Sequence, residues 1–320
     1  MMRRLAPAVG LFFLAPLVAE YLLGNVPASE IAAMPVLAPM YGGGALLVRE
    51  TARRAGRGWP TMILLAAAYG VLEACLIDQS LFNPSFEGQD FQSAAPVPAL
   101  GVSAVYALSF VGGHVIWSIG VPIAIVEALV PRRSTTPWLG RPALAVTCAV
   151  FALGSFLIFR GISRDEGFMA STPQRIGAAV VVVALIGAAF ALGRRPRHAT
   201  AGWVPGPWPV GAAAFVASGL FYARPESWAG VAVGAGLLAV TAAAVTSWSH
   251  RTGWGAAHRL SLAGGALLTY VWGGFLLLSL KGTSDTANLA GQAVLALGAL
   301  ALLLAAGRTV ARDPDPEEPR

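Results

Sequence analysis

Charge is scarce in this sequence, and the scarcity excludes most of what a 320-residue chain might be. Only 12% of the residues are charged, against roughly 25% in soluble domains, while 56% are hydrophobic and the mean hydropathy is +0.66. That excludes a water-soluble globular fold. Cysteine is scarce too. Cys75 and Cys148 both lie inside apolar stretches, where thiols act as small hydrophobes, so no disulfide framework and no cysteine-rich metal site are expected. Ten-residue segments of alternating polarity are missing, which excludes an outer-membrane β-barrel. The net charge of +6 and the pI near 9.9 come from arginines in short loops, not from a basic face interleaved with aromatics, so no nucleic-acid partner is expected.

What the sequence does contain is apolar blocks of bilayer-spanning length. They lie at 8–25, 31–48, 60–79, 101–129, 141–159, 175–193, 207–222, 228–247, 259–280 and 287–306. The reading is an all-α, polytopic transmembrane bundle of about ten helices in the cytoplasmic (inner) membrane. Basic residues orient it. With the N-terminus inside, the inner segments hold Arg3 and Arg4; Arg49, Arg53, Arg54 and Arg57; Arg132, Arg133 and Arg141; Arg194, Arg195 and Arg197; Arg251 and Arg259; and Arg308, Arg312 and Arg320. The other side holds Arg160, Arg164, Arg175, Arg224 and Lys281, so both termini are expected in the cytoplasm. Trp59, Trp138, Trp203, Trp208 and Trp254 fall at the inner boundary and Trp228 at the outer one, as interfacial anchors.

Met-Met-Arg-Arg and the following apolar residues can also be read as a signal peptide cleaved after Ala19. The run continues through Leu23 and Leu17 occupies the −3 position, so an uncleaved first helix is the expectation. The segment 80–100 has Asn83-Pro84, Glu87, Asp90, Pro96 and Pro98 but no basic residue, and suits a turn-rich outer connector or vestibule. Residues 308–320 read as a disordered cytoplasmic tail.

Ten spans divide into an N-terminal half at 1–160, which carries the polar residues, and an apolar C-terminal half at 161–307. Five spans per half would place any repeat in inverted orientation. Pro35, Pro39 and Gly42-Gly43-Gly44 suggest that the second span is broken at membrane depth, with the seventh, opening Pro205-Gly206-Pro207-Trp208-Pro209, as its counterpart. Gly230 and Gly234 read as a close-packing surface.

An ionisable group inside a span costs about 2.5–3.5 kcal/mol on insertion scales, which makes it a functional candidate. Glu20, Glu73 and His114 are such groups. On the third span Tyr69 and Glu73 share a face, with Asp78 about 140° away. On the fourth, Ser103, Tyr106, Phe110, His114, Trp117 and Ser118 form a stripe that ends at an expected kink at Pro122. The binding or proton-coupling candidates are Glu20, Tyr41, Tyr69, Glu73, Asp78, His114 and Ser118, and the catalytic candidates are Glu73 and His114. Glu50 and Glu127 read as interfacial charges paired with Arg49, Arg53 or Arg132; His198, His250 and His258 read as solvated.

Arg49-Glu50, Gly56-Arg57-Gly58-Trp59, Tyr69-Gly70 with Glu73, and His114 with Ser118 resemble the motifs of a multi-pass bacterial membrane-protein family with no assigned activity. Phe110 and His114 also resemble the Phe-x-x-x-His motif of the intramembrane CAAX-protease and bacteriocin-processing family, whose glutamate and histidines activate water. Here Glu73 is followed by Ala74, Asp78 stands where that family has arginine, and His250 and His258 do not reproduce its third motif.

The expected function is a permease for a small solute, with buried carboxylates for proton or cation coupling and no cofactor. One alternative is an intramembrane or membrane-surface hydrolase for a lipid-linked or peptide substrate, using Glu73 and His114, with a metal ion possible. Another is a scaffold subunit of a membrane complex. The lipid bilayer is the one partner all three readings share; a homo-oligomer or a partner subunit is compatible with each.

Overall fold

A computed structural model of the chain describes residues 2–192 and 200–312. Arg194, Arg195, Arg197 and His198 of the expected inner loop, and the tail beyond Arg312, lie outside the described residues. The described chain forms ten helical rods: α1 (Arg4–Leu22), α2 (Ala28–Arg54), α3 (Trp59–Ile77), α4 (Ala104–Leu129), α5 (Arg141–Asp165), α6 (Thr172–Leu192), α7 (Pro207–Tyr222), α8 (Trp228–Ser249), α9 (Ala256–Leu280) and α10 (Thr286–Arg312). All but α7 are long and apolar enough to cross a bilayer, and α7 has 16 residues. The fold is an all-α bundle, because in hydrocarbon a helix satisfies its own backbone groups. The only paired strands described are Pro96–Val97 and Val102–Ser103, a short antiparallel hairpin in the segment between α3 and α4.

Local chemistry sets the helix ends. Proline occupies the first turn of α3, α5 and α7, where its missing N–H has no intrahelical partner to lose. Ser227 caps α8 by accepting from the Gly230 amide at 3.3 Å. Gly24 and Gly282, with φ of 77° and 71°, turn the chain out of α1 and α9 at the same end of the bundle. α10 continues helically to Arg312, so the first part of the expected tail is ordered helix.

The bundle has an inner and an outer layer. α1–α4 and α9 bury more than half of their spans, whereas α5, α6, α8 and α10 bury much less and present Val146, Leu153, Val183, Val240 and Leu297 outward. One apolar core joins α1, α2, α3 and α4 around Leu11, Met40, Met62 and Ile123. A second joins α4 to α7, α9 and α10 around Trp117, Ile125, Leu267 and Tyr270. α4 belongs to both. α5 packs on α2 and α6 packs on α3, so both stay with the N-terminal helices.

α2 is not broken. It runs as continuous α-helix over Met34–Arg54, with Pro39 inside it and the three glycines buried. Those glycines serve close approach: a Cβ on Gly42 would stand 1.9 Å from the Phe12 carbonyl oxygen, one on Gly43 3.1 Å from Phe151 Cβ, and one on Gly44 2.4 Å from the Tyr69 ring. α2 is thereby wedged between α1 and α5, while α7 packs along α9, so the second and seventh spans, read as counterparts, do not pack as a pair. Gly234 packs as expected, meeting Leu108 of α4 and the Arg224 side chain.

Two other expectations are corrected by burial. Trp138 is no interfacial anchor: it is 4% exposed, with the Arg49 guanidinium stacked 3.2 Å from its ring centroid. His258 is not solvated: it is 6% exposed, its Nδ1 accepts from the Gly255 amide at 3.2 Å, and its Nε2 lies 3.0 Å from the Pro205 carbonyl.

Candidate functional site

Three of the inner helices change their winding within their spans. α1 turns from α to π geometry over Leu17–Leu22, α3 over Glu73–Ile77, and α4 over His114–Gly120. Such segments recur at functional sites because the i→i+5 turn re-aims side chains. In α1 and α4 proline accounts for the change. Pro16 immediately precedes the first segment, and Pro122, which lacks an amide proton, stands just after the third. The kink expected at Pro122 thus takes the form of a π segment before it. Each segment carries one ionisable candidate: Glu20, Glu73 and His114.

These side chains meet. Tyr41 of α2 lies between the carboxylates, its Oη 2.5 Å from Glu20 Oε1 and 3.2 Å from Glu73 Oε1. The other oxygen of Glu73 is hydrogen-bonded to His114 Nε2. His114 Nδ1 is 2.9 Å from Ser118 Oγ. The result is an unbroken line, Glu20–Tyr41–Glu73–His114–Ser118, drawn from four helices. Glu20, Tyr41, Glu73 and Ser118 are each buried, at 7%, 4%, 4% and 3% exposure. Gly70 permits the central contact, since a Cβ there would lie 3.1 Å from His114 Cβ and 3.2 Å from Val111 Cα. The Tyr-Gly-x-x-Glu pattern therefore has a packing reason: glycine lets α4 approach α3 one turn before the glutamate.

Proton bookkeeping makes the arrangement chemically specific. A phenol has one proton, so Tyr41 cannot give a full hydrogen bond to both carboxylates. The second contact has its own proton only when a carboxyl oxygen supplies it, which gives Glu20, Tyr41 and Glu73 room to share one further proton. His114 is accommodated in both charge states. When neutral it donates to Glu73 and accepts from the Ser118 hydroxyl; when protonated it donates from both nitrogens and the hydroxyl turns to accept.

Asp78 is not joined to this line. Its Oδ1 accepts from the Ser80 amide at 2.9 Å and caps the turn that leaves α3. Its own amide donates to the Glu73 carbonyl at 3.0 Å, the i→i+5 bond that replaces the regular winding from which the 140° angle was projected. Tyr69 packs edge-on to His114, with ring centroids 5.7 Å apart. Its hydroxyl is buried and has no hydrogen-bond partner among the described residues. Among the described residues no three His, Cys, Asp or Glu side chains converge as a metal site; Tyr41 holds the two glutamates on either side of itself instead of around one point.

Asn25 and Lys281 complete the site, and sequence reading did not single them out. Asn25 Nδ2 donates to Glu20 Oε2 at 2.7 Å, and Lys281 Nζ donates to the Asn25 carbonyl and side-chain oxygens at 3.1 and 3.0 Å. Lys281 also lies 3.6 Å from Glu87. An amide just past a helix that ends in a buried carboxylate was the available signal for Asn25. None pointed to Lys281, which comes from the far end of the chain. The segment between α3 and α4 folds over this end: Phe91 packs on Tyr106 and Phe110 at 4.8 and 5.2 Å, and Asn83 Nδ2 donates to Glu166 at 2.9 Å.

Glu50 and Glu127 occupy the opposite, arginine-rich end, with Glu50 about 13.5 Å along α2 from Tyr41 at 1.5 Å per residue. Arg49 is fully buried. Its Nε donates to Glu127 at 3.0 Å, its Nη1 to Glu50 at 2.9 Å, and its Nη2 to the carbonyls of Arg133, Ser134 and Thr136 at 3.1, 2.9 and 3.1 Å. Arg53 grips Glu127 through two bonds of 3.0 and 2.7 Å, and Glu50 accepts from the Trp138 and Leu139 amides. The expected pairing with Arg49 and Arg53 is present, but buried, and it clamps the 131–139 segment to α2.

With this geometry in place, comparison with known families is decisive at the level of kinship. The chain belongs to an uncharacterised membrane protein family. That family's model matches residues 10–311, which takes in all four helices of the polar line and the arginine clamp. No curated protein and no solved structure matches the chain. The family kinship accords with the resemblance seen in Arg49-Glu50, Tyr69-Gly70-x-x-Glu73 and His114-x-x-x-Ser118.

Proposed function

We propose that this protein is a proton-coupled permease of the cytoplasmic membrane, with both termini inside, that moves a small polar solute. The observation that carries the reading is the buried line Glu20–Tyr41–Glu73–His114–Ser118, with its capacity for one shared proton. Moving that proton from the Glu20 side to His114 turns the Glu73–His114 hydrogen bond between α3 and α4 into an ion pair and leaves the two Tyr41 contacts with one proton between them. This is the local event an alternating-access cycle needs. The unpartnered Tyr69 hydroxyl beside His114 supplies a donor for a polar substrate group. A scaffold gains nothing from this arrangement, since apolar packing fixes helices without desolvating two carboxylates.

The test is electrical recording on proteoliposomes adsorbed to a solid support, under a pH gradient, with a panel of amino acids, sugars, organic acids and amines. A solute-dependent proton current is expected for the wild type, reduced at least about a hundredfold in Glu73→Gln and Tyr41→Phe, the usual scale for removing a proton-transfer group. No current across the panel, or currents unchanged in folded Glu73→Gln, would refute the permease.

One observation favours a second reading. Ser118, His114 and Glu73 are connected in the order nucleophile, base and orienting acid, and Phe110 with His114 resembles one of the three motifs of the intramembrane CAAX-protease and bacteriocin-processing family, whose other two this chain does not reproduce. That reading predicts labelling of Ser118 by a fluorophosphonate probe, lost in Ser118→Ala.

A further inference from the structure

At the arginine-rich end, an open cleft of about 710 Å³ lies between the start of α1, the 131–139 segment and the first turn of α5. Two arginines, Arg4 and Arg133, belong to its lining, and among the described residues no acidic side chain lines it. Most of the remaining wall is apolar, from Leu5, Pro137, Leu139 and Pro142. Arg133 Nη1 donates to the Arg4 carbonyl at 3.0 Å, which joins the two sides of the cleft. The wall includes Trp138, the residue on which Arg49 is stacked.

We propose that this cleft binds an anionic phospholipid, with Arg4 and Arg133 on the headgroup phosphate and the apolar wall against the glycerol and the first acyl carbons. Three features converge on this ligand. The buried clamp beside the cleft sets Arg49, Arg53 and Arg54 against Glu50 and Glu127, so it does not neutralise the two lining arginines. The cleft opens where α1 and α5 begin, the level of the headgroups for helices of spanning length, and basic pockets at that level select anionic lipids. Both helices then expose apolar side chains further along, Val9 and Phe13 on α1 and Val146 and Leu153 on α5. A ligand with a charged head and an apolar body matches this surface, whereas a free phosphate uses only the arginines. The bound lipid would brace the segment that Arg49 holds, whatever the polar line transports.

Native mass spectrometry of the detergent-purified full chain tests the proposal, with phosphatidylglycerol, phosphatidylcholine and inorganic phosphate as probes. The wild type should retain phosphatidylglycerol in preference to phosphatidylcholine. At about fivefold per interfacial arginine, Arg4→Gln/Arg133→Gln should lower that preference by about twenty-five-fold. Arg4→Gln alone should give an intermediate loss. It also separates binding from folding, because Arg133 bonds the backbone carbonyl of residue 4 and that bond survives the substitution. Equal retention of the two lipids by the wild type, or undiminished preference in Arg4→Gln, overturns the proposal. Displacement of phosphatidylglycerol by millimolar inorganic phosphate assigns the arginines to a free anion and overturns it as well.

Discussion

Arg49→Met is the perturbation whose consequence the structure specifies most fully. Methionine retains the apolar stem and removes the charge and its donors. Glu127 stays neutralised, because Arg53 holds it at 3.0 and 2.7 Å. Glu50, fully buried, keeps the Trp138 and Leu139 amides at 2.8 and 3.1 Å but loses its close ion pair, leaving Arg54 at 3.6 Å. The carbonyls of Ser134 and Thr136 lose the donor that Arg49 Nη2 supplies. Ser134 is half-buried and Thr136 exposed, so their carbonyls can turn to water, whereas breaking a buried ion pair by removing one partner costs about 3–5 kcal/mol. The expected loss is therefore about 3–5 kcal/mol. Unfolding in mixed micelles of rising SDS content, followed by tryptophan fluorescence, measures it. A double-mutant cycle with Glu127→Gln should show a coupling well above the few tenths of a kcal/mol expected of independent sites. An Arg49→Met protein within about 1 kcal/mol of wild type would refute the clamp as a stabilising device, because the usual effect of an exposed ion pair is of that size.

Gly70→Val should separate α3 from α4 at the point where a Cβ already comes within 3.1 Å of His114 Cβ. Overpacking of this kind costs about 1–3 kcal/mol, so the protein should still fold while its coupled current falls to background; a current at wild-type level in this variant would mean that the Glu73–His114 contact is dispensable. Cys148, exposed on the outward side of α5, should react with a membrane-permeant maleimide well before the buried Cys75 does, as followed by mass spectrometry of the intact chain, and the reverse order would contradict the layering of α3 inside α5 and α6.

The ten helices and their approximate limits were legible because bilayer thickness imposes a length, and apolar blocks of that length are visible without any tertiary information. The polar candidates were legible for a related reason: a carboxylate within such a block is costly, so Glu20 and Glu73 stand out in the primary structure. Spacing placed Tyr69 and Glu73 on one face of α3 and His114 and Ser118 on one face of α4. It set Asp78 about 140° from Glu73, and Asp78 indeed stays off the line, where its carboxylate caps the turn that leaves α3. It took the glycines of α2 for a break, although they are the contact surface of a continuous helix between Phe12 and Phe151. Proline and glycine carry the same signal in both cases, and only the neighbouring helix tells loosening from close packing.

By itself, the sequence determined a membrane-embedded helical bundle with its ionisable groups in the first four helices and its arginines gathered between spans, since these follow from the cost of exposing or burying each residue type. Only tertiary structure decided that Tyr41 stands between Glu20 and Glu73, that Lys281 reaches Asn25, and that Arg49 is stacked on Trp138. Those pairings join residues far apart in the chain, and hydrogen bonds about 3 Å long depend on how helices pack, which no local periodicity encodes.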